Sequence, residues 1–183
     1  MNRETESRSV YTLGASDGLW VGVLMGLCMF CMIMSSRLPV LSLAGIVIFL
    51  VTPFVVWRML RRSWIRSEVP TSFSAVWLHG ICIFLFGSLI MALMMYLTLK
   101  FLTPGWIENQ VHLASLQLAQ NVDTLEQSRM LERVIESGNL PSAIYTSVSA
   151  IWLAAFTGSM WSMIFALILT RTGFYRKLRE NRC

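Results

Sequence analysis

Four stretches without a charged side chain, 18–36, 38–57, 73–99 and 140–170, constrain this chain more than anything else in it. Each is close to or above the roughly 20 residues that a helix needs to cross the apolar layer of a bilayer. A backbone in lipid has no water to bond to, so such runs must be helices that satisfy their own amides. The chain therefore reads as all-α, a polytopic membrane protein in one membrane domain, 1–183. Its transmembrane helices are expected at about 14–36, 38–60, 72–101 and 142–171. With 55% hydrophobic and 14% charged residues, a soluble core is excluded. The first run competes with a signal peptide, but its polar lead is long and Met34, Ser35 and Ser36 make a poor cleavage site.

Two of the runs carry small residues at every fourth position. Gly14, Gly18, Gly22 and Gly26 step along the first; Ser142, Thr146, Ala150, Ala154, Gly158, Ser162, Ala166 and Thr170 step along the last. Between helices in lipid, burial of apolar side chains gives no net drive, so close backbone approach and dispersion must supply it. The helix-packing surfaces are thus expected at the four glycines and at Ala150, Ala154, Gly158, Ser162 and Ala166. Four residues turn a helix by about 400°, so each step drifts about 40° and eight steps cannot share one face. The expectation is a close crossing of the first and last helices that uses three or four rungs of each, with other rungs left for helix three or a second protein.

Charge sets the orientation. With both termini cytoplasmic, eleven Lys and Arg residues lie inside and only Arg37, Lys100, Arg129 and Arg133 outside. Arg58, Arg61, Arg62 and Arg66 form a basic collar after helix two, an ordinary inner anchor that also suits anionic lipid headgroups. The net charge of +5 is accounted for by topology, and there is no basic reading head or aromatic stacking motif for nucleic acid.

The connections are short except for one. Helices one and two are joined by Ser35, Ser36, Arg37 and Leu38 before Pro39, so they form an antiparallel hairpin. Residues before the first run read as a loose polar lead. Pro53 predicts a kink in helix two, with Thr52 placed to help satisfy freed groups. Ser72 is expected to cap helix three. Pro104 and Gly105 open an extracytoplasmic helical segment, 104–141, between helices three and four. Ile107, Val111, Ala114, Leu118, Val122 and Leu125 recur there at helical spacing, widened by Leu113 and Leu116, as in an amphipathic helix. A second helix follows, with Asp123 and Glu126 as a capping box, Leu131, Val134 and Ile135 as its apolar side, and Gly138 with Asn139 as a stop. The segment reads as a lid on the outer membrane surface, or as a platform for a partner.

Chemistry is sparse by comparison. Cys28 and Cys31 have redox spacing but lie inside an apolar helix, and Cys82 and Cys183 offer no second exposed pair on the outer side, so they read as small apolar packers. Asp17 and His79 are the ionisable groups that fall at depth near the inner face, and intramembrane charges are functional suspects. Both are near enough to the interface to reach water, and they form a candidate ion site. The methionines fill apolar helices without a paired motif for metal transfer. His112 stands alone, and no nucleophile with a His and acid partner or glycine-rich phosphate loop occurs. No catalytic, cofactor or metal site is therefore expected.

Tyr11 to Gly26 with its glycine spacing, Pro53 to Arg62 closing helix two, Thr71 to Trp77 opening helix three, and Leu140, Pro141 and Ser142 entering a small-residue helix that finishes at Arg171 resemble, in that order, a family of small integral membrane proteins of Bacteroidota, domain of unknown function 4199. The resemblance covers nearly the whole chain and includes a helical outer segment. It implies a four-helix inner-membrane protein with no assigned activity, and so no catalytic residues to carry over.

The expected function is that of a noncatalytic membrane subunit or scaffold in a bacterial inner membrane. Its partners would be membrane lipids and either a second copy or another membrane protein. The alternatives are a homodimeric small transporter or channel, and an accessory of a lipid-linked envelope pathway in which the collar meets polyprenyl phosphates.

Overall fold

The computed structural model describes residues 3–66, 72–120, 124–138 and 140–180. Among the described residues every regular element is helical: α1 (Arg3–Met34), α2 (Val40–Arg66), α3 (Phe73–Leu97), α4 (Trp106–Ala119), α5 (Leu125–Glu136) and α6 (Ala143–Glu180). Four segments, Leu13–Met34, Val40–Arg62, Phe73–Leu102 and Ala143–Arg171, are long and apolar enough to cross a membrane. The alternation of direction puts the start of α1, the end of α2, the start of α3 and the end of α6 together, hereafter the arginine end; α4 and α5 lie at the other, the hairpin end.

Local chemistry sets the boundaries. The α1–α2 turn closes through hydrogen bonds that the backbone amides of Arg37 and Leu38 donate to the Met34 carbonyl. The hydroxyls of Ser35 and Ser36 donate to the carbonyls of Met32 and Ile33, which a helix end would otherwise leave unsatisfied. Pro39, with its fixed φ, immediately precedes Val40. α2 runs unbroken through Pro53, where the Thr52 hydroxyl donates to the Ile48 carbonyl at 2.8 Å. Ser72 stands at the N-cap of α3 as expected, yet its hydroxyl pairs with that of Ser74 at 2.9 Å instead of capping a backbone amide.

Two helices are longer than the sequence suggested. The expected loose lead belongs to α1, since 3–13 contains neither Pro nor Gly to stop a helix. α6 likewise continues beyond Arg171 to Glu180. α3 does the opposite and widens into a π turn over Thr98–Leu102. The amide and hydroxyl of Thr103 both donate to the Thr98 carbonyl, at 3.1 and 3.2 Å. The cause is Pro104, which brings no amide and bars Thr103 from helical geometry. Gly105 then turns with φ of 86° to start α4, and Gly138, with φ of 68°, follows α5.

α3 is the centre of the bundle. Half of its span is buried, against 11% for α2. α1 and α6 pack along it, and α2 lies mainly on α1. Near the arginine end the core joins all four spans through Val21, Val56, Leu60, Ile83, Phe84 and Ala166. Trp57 of α2 meets Phe165 of α6 edge to face at 5.6 Å. Near the hairpin end, Ile33, Met95 and Leu99 form a second cluster against Trp106 and Ile107 of α4. Large apolar side chains on the outer faces of α2 and α6, such as Phe49, Phe54, Trp152 and Phe156, are exposed, the surface that lipid covers.

Candidate functional site

Both rows of small residues are packing surfaces, but they do not cross one another. Each faces α3. A Cβ built on Gly14 would stand 2.8 Å from the Cys82 Cβ, and one on Gly18 would stand 2.9 Å from the Ile83 carbonyl oxygen. At Gly22 it would reach the Gly87 carbonyl oxygen at 2.7 Å, and Gly26 lies against Met94. On the far row, Ala154, Gly158, Ser162 and Ala166 are buried, with Gly158 under the Phe84 ring and Ser162 against Gly80. Ala150 is half-buried and Ser142 exposed, so the drift around the helix limits use to the middle rungs. The expected α1–α6 crossing is replaced by two seams on α3, because Gly80 and Gly87 make that helix the one both rows can approach.

Gly80, Gly87 and Gly45 were not singled out from sequence. The signal was glycine within otherwise bulky helices, where its conformational cost demands a packing reason. Gly45 brings α2 close to α1: a Cβ there would lie 2.9 Å from the Met32 sulfur, and the Cys28 thiol donates to the Gly45 carbonyl at 3.3 Å. Cys28, Cys31 and Cys82 are buried free thiols, while Cys183 lies outside the described residues.

On the α1–α3 seam the structure brings Asp17 and His79 together, with His79 Nε2 3.5 Å from Asp17 Oδ2. Gly14 and Gly18 flank Asp17 by one turn or less, and the approach they permit is what places a carboxylate from one helix against an imidazole from the other. His79 is only 4% exposed, deeper than its sequence position suggested, whereas the Asp17 side chain keeps 28% of its surface. The distance exceeds a hydrogen bond, and Nε2 is a buried atom without a hydrogen-bond partner. This is the sole ion pair among the described residues.

Arg58, Arg61 and Arg62 are exposed on one face at the end of α2. Arg66 closes that helix, and its side chain lies outside the described residues. No three His, Cys, Asp or Glu side chains among the described residues are grouped to hold a metal.

Outside the spans, α4 and α5 pack on one another, and α4 meets the bundle through Trp106 and Ile107. Their contact is made by serines that the apolar pattern did not disclose: Ser115 and Ser128 are buried, and the Ser128 hydroxyl donates to the Ser115 carbonyl at 3.0 Å. Ile107, Val111, Ala114 and Leu118 are half-buried, whereas Leu113, Leu116 and Met130 are exposed. Val122 and Asp123 lie outside the described residues; Thr124 occupies the N-cap position of α5.

Residues 16–171 match the family described as a protein of unknown function, DUF4199. No curated protein and no solved structure matches the chain.

Proposed function

We propose, from the premise that the chain belongs to the DUF4199 family, that it is a noncatalytic integral membrane subunit or scaffold. Its α3-centred bundle holds the α4–α5 hairpin outside the membrane to recognise a second copy or another membrane protein. The observation that carries this reading is the hairpin itself. It is closed by its own Ser115–Ser128 contact, yet Leu113, Leu116 and Met130 remain exposed on it. Fully burying side chains of that size stabilises by about 1.5–3 kcal/mol each, a ready contribution to a partner contact. The excess of Lys and Arg at the arginine end supports a bacterial inner membrane with both termini cytoplasmic and the hairpin outside.

A photo-crosslinking residue at Leu116, activated in native membranes, tests the reading. The expected result is one discrete adduct, of the chain with itself or with a defined membrane protein, lost in the Leu113→Ser variant. Lipid adducts alone, or turnover of a substrate by the purified monomer, would refute it.

The juxtaposition of Asp17 and His79 favours a second reading, a homodimeric small transporter or channel. Ion flux into liposomes that disappears in both Asp17→Asn and His79→Ala would establish it in place of the scaffold.

A further inference from the structure

The outer face of α5 carries a charge order that is complementary to itself. At about 100° per residue, Glu126, Met130, Arg133 and Ser137 fall within about 60° of one another, on the side opposite Ser128, Leu131 and Ile135. The latter three are buried or half-buried, and Ser128 bonds to α4; the former four are all exposed. Met130, 62% exposed, stands at the middle of the line, with Glu126 one turn before it and Arg133 one turn after. Among the described residues none of the α5 charges, Glu126, Arg129, Glu132, Arg133 and Glu136, forms an ion pair within the chain. Arg129 shares its flank with Glu132 and Glu136, so that flank holds its own counter-charges.

An acid at one end of a face and a base at the other, around an apolar centre, has one simple complement: the same face turned end for end. About a two-fold axis close to Met130, the antiparallel α5 of a second copy sets Glu126 against Arg133 twice and brings the two Met130 side chains together. A parallel pairing instead opposes Glu126 to Glu126 and Arg133 to Arg133, which like charges disfavour. Exposed ion pairs contribute little affinity; their role is to select partner and direction, as at the flanks of paired helices. Met130 supplies the apolar contact, and confinement of both copies to one membrane lowers the freedom lost on meeting. The hairpin meets the bundle through Trp106 and Ile107 of α4, and the chain's own spans leave this face of α5 uncovered. Leu113 and Leu116 lie on the side of α4 turned from Val111, Ser115 and Leu118, away from the proposed contact.

We propose that α5 pairs two copies of this chain, antiparallel and two-fold, through Glu126–Arg133 contacts on either side of Met130. Copies inserted in the same direction are related by an axis along the membrane normal, so the paired α5 helices lie along the membrane plane. The inference rests on the scaffold reading and names the partner of the α5 face as a second copy, leaving the Leu113 and Leu116 face of α4 open.

Bis-maleimide cross-linking of the full chain in native membranes tests it, first with Cys183→Ser and Met130→Cys in every copy. The expected dimer yield falls about fivefold or more with Glu126→Arg or Arg133→Glu alone, because each exchange sets like charges across the axis. Co-expressed in differently tagged copies, the two exchanges should restore the yield, since every contact is again acid to base. That restoration separates lost pairing from a weakened helix, because Glu126 and Arg133 also suit the α5 dipole. With Met130 retained, Glu126→Cys copies should link to Arg133→Cys copies several-fold more than either links to itself. A yield indifferent to the single exchanges, no recovery in the mixed copies, or preferential linking of Glu126→Cys to itself would overturn the proposal. If these arms fail while Leu116 still forms a discrete adduct with another membrane protein, α5 pairing falls and the scaffold reading stands; failure of both removes the two together.

Discussion

Gly22 and Gly87 meet backbone to backbone: a Cβ on Gly22 would stand 2.9 Å from the Gly87 Cα, and one on Gly87 would stand 3.3 Å from the Gly22 nitrogen. Neither helix can swing a side chain aside to make room, because the obstructing atoms are main chain and the Cβ of Ile90, which is fixed to it. Gly22→Ala should therefore destabilise the folded bundle by about 1–3 kcal/mol, the usual cost of overpacking, and Gly22→Leu by more. Reversible unfolding in bilayers measures this. An exposed substitution on the same helix, Ser16→Ala, should shift stability by less than about 0.5 kcal/mol.

The α3–α6 seam makes a different prediction, because Gly158 faces a side chain, the Phe84 ring. Gly158→Ala should destabilise the bundle, and Phe84→Leu should do so through lost packing. Combined, the two should cost less than their sum, with a coupling of about 0.5–3 kcal/mol. A double-mutant cycle on bilayer unfolding gives the coupling directly; strict additivity would place the ring elsewhere.

Ser128 ties α5 to α4 through a buried hydrogen bond. Ser128→Ala should cost about 1 kcal/mol, and Ser128→Leu should separate the two helices because no space exists for the branch. Hydrogen exchange should rise across 106–136 and remain unchanged in α3, since the bundle core does not pass through this contact.

Cys28, Cys31 and Cys82 are buried, and Cys28 also donates to Gly45. In a Cys183→Ser variant, a membrane-impermeant maleimide should label none of the three until the protein is denatured, when all three should react. Mass spectrometry of the intact chain counts the adducts. Rapid labelling of the folded protein would contradict the α1–α2 contact.

What was legible in the sequence were features that lipid imposes on each helix separately. Uncharged length marked the four spans, and Pro104 with Gly105 marked the end of α3, because both act locally. The partners of the small rows were not legible. A glycine row says that another backbone comes near but carries no identity for it, and Gly80 and Gly87 of α3 complete the seams from within a helix of otherwise large residues. Asp17 and His79 could be singled out by chemical type, yet their meeting depends on the α1–α3 approach, as does the depth that leaves Nε2 without a partner. In the outer segment the apolar period indicated helices, whereas the α4–α5 contact rests on two serines, which a hydrophobicity pattern counts as surface.

The central place of α3 also fixes a sequence of events during synthesis. α1 and α2 can enter the bilayer as a hairpin, but the glycine edge of α1 has nothing to close on until the third span arrives. The last span, with Gly158 and Ser162, must then find the opposite side of that same helix. A nascent chain cut short after α2 thus carries that glycine edge bare into the membrane. For this protein the third span, rather than the first, is the point at which biogenesis becomes committed.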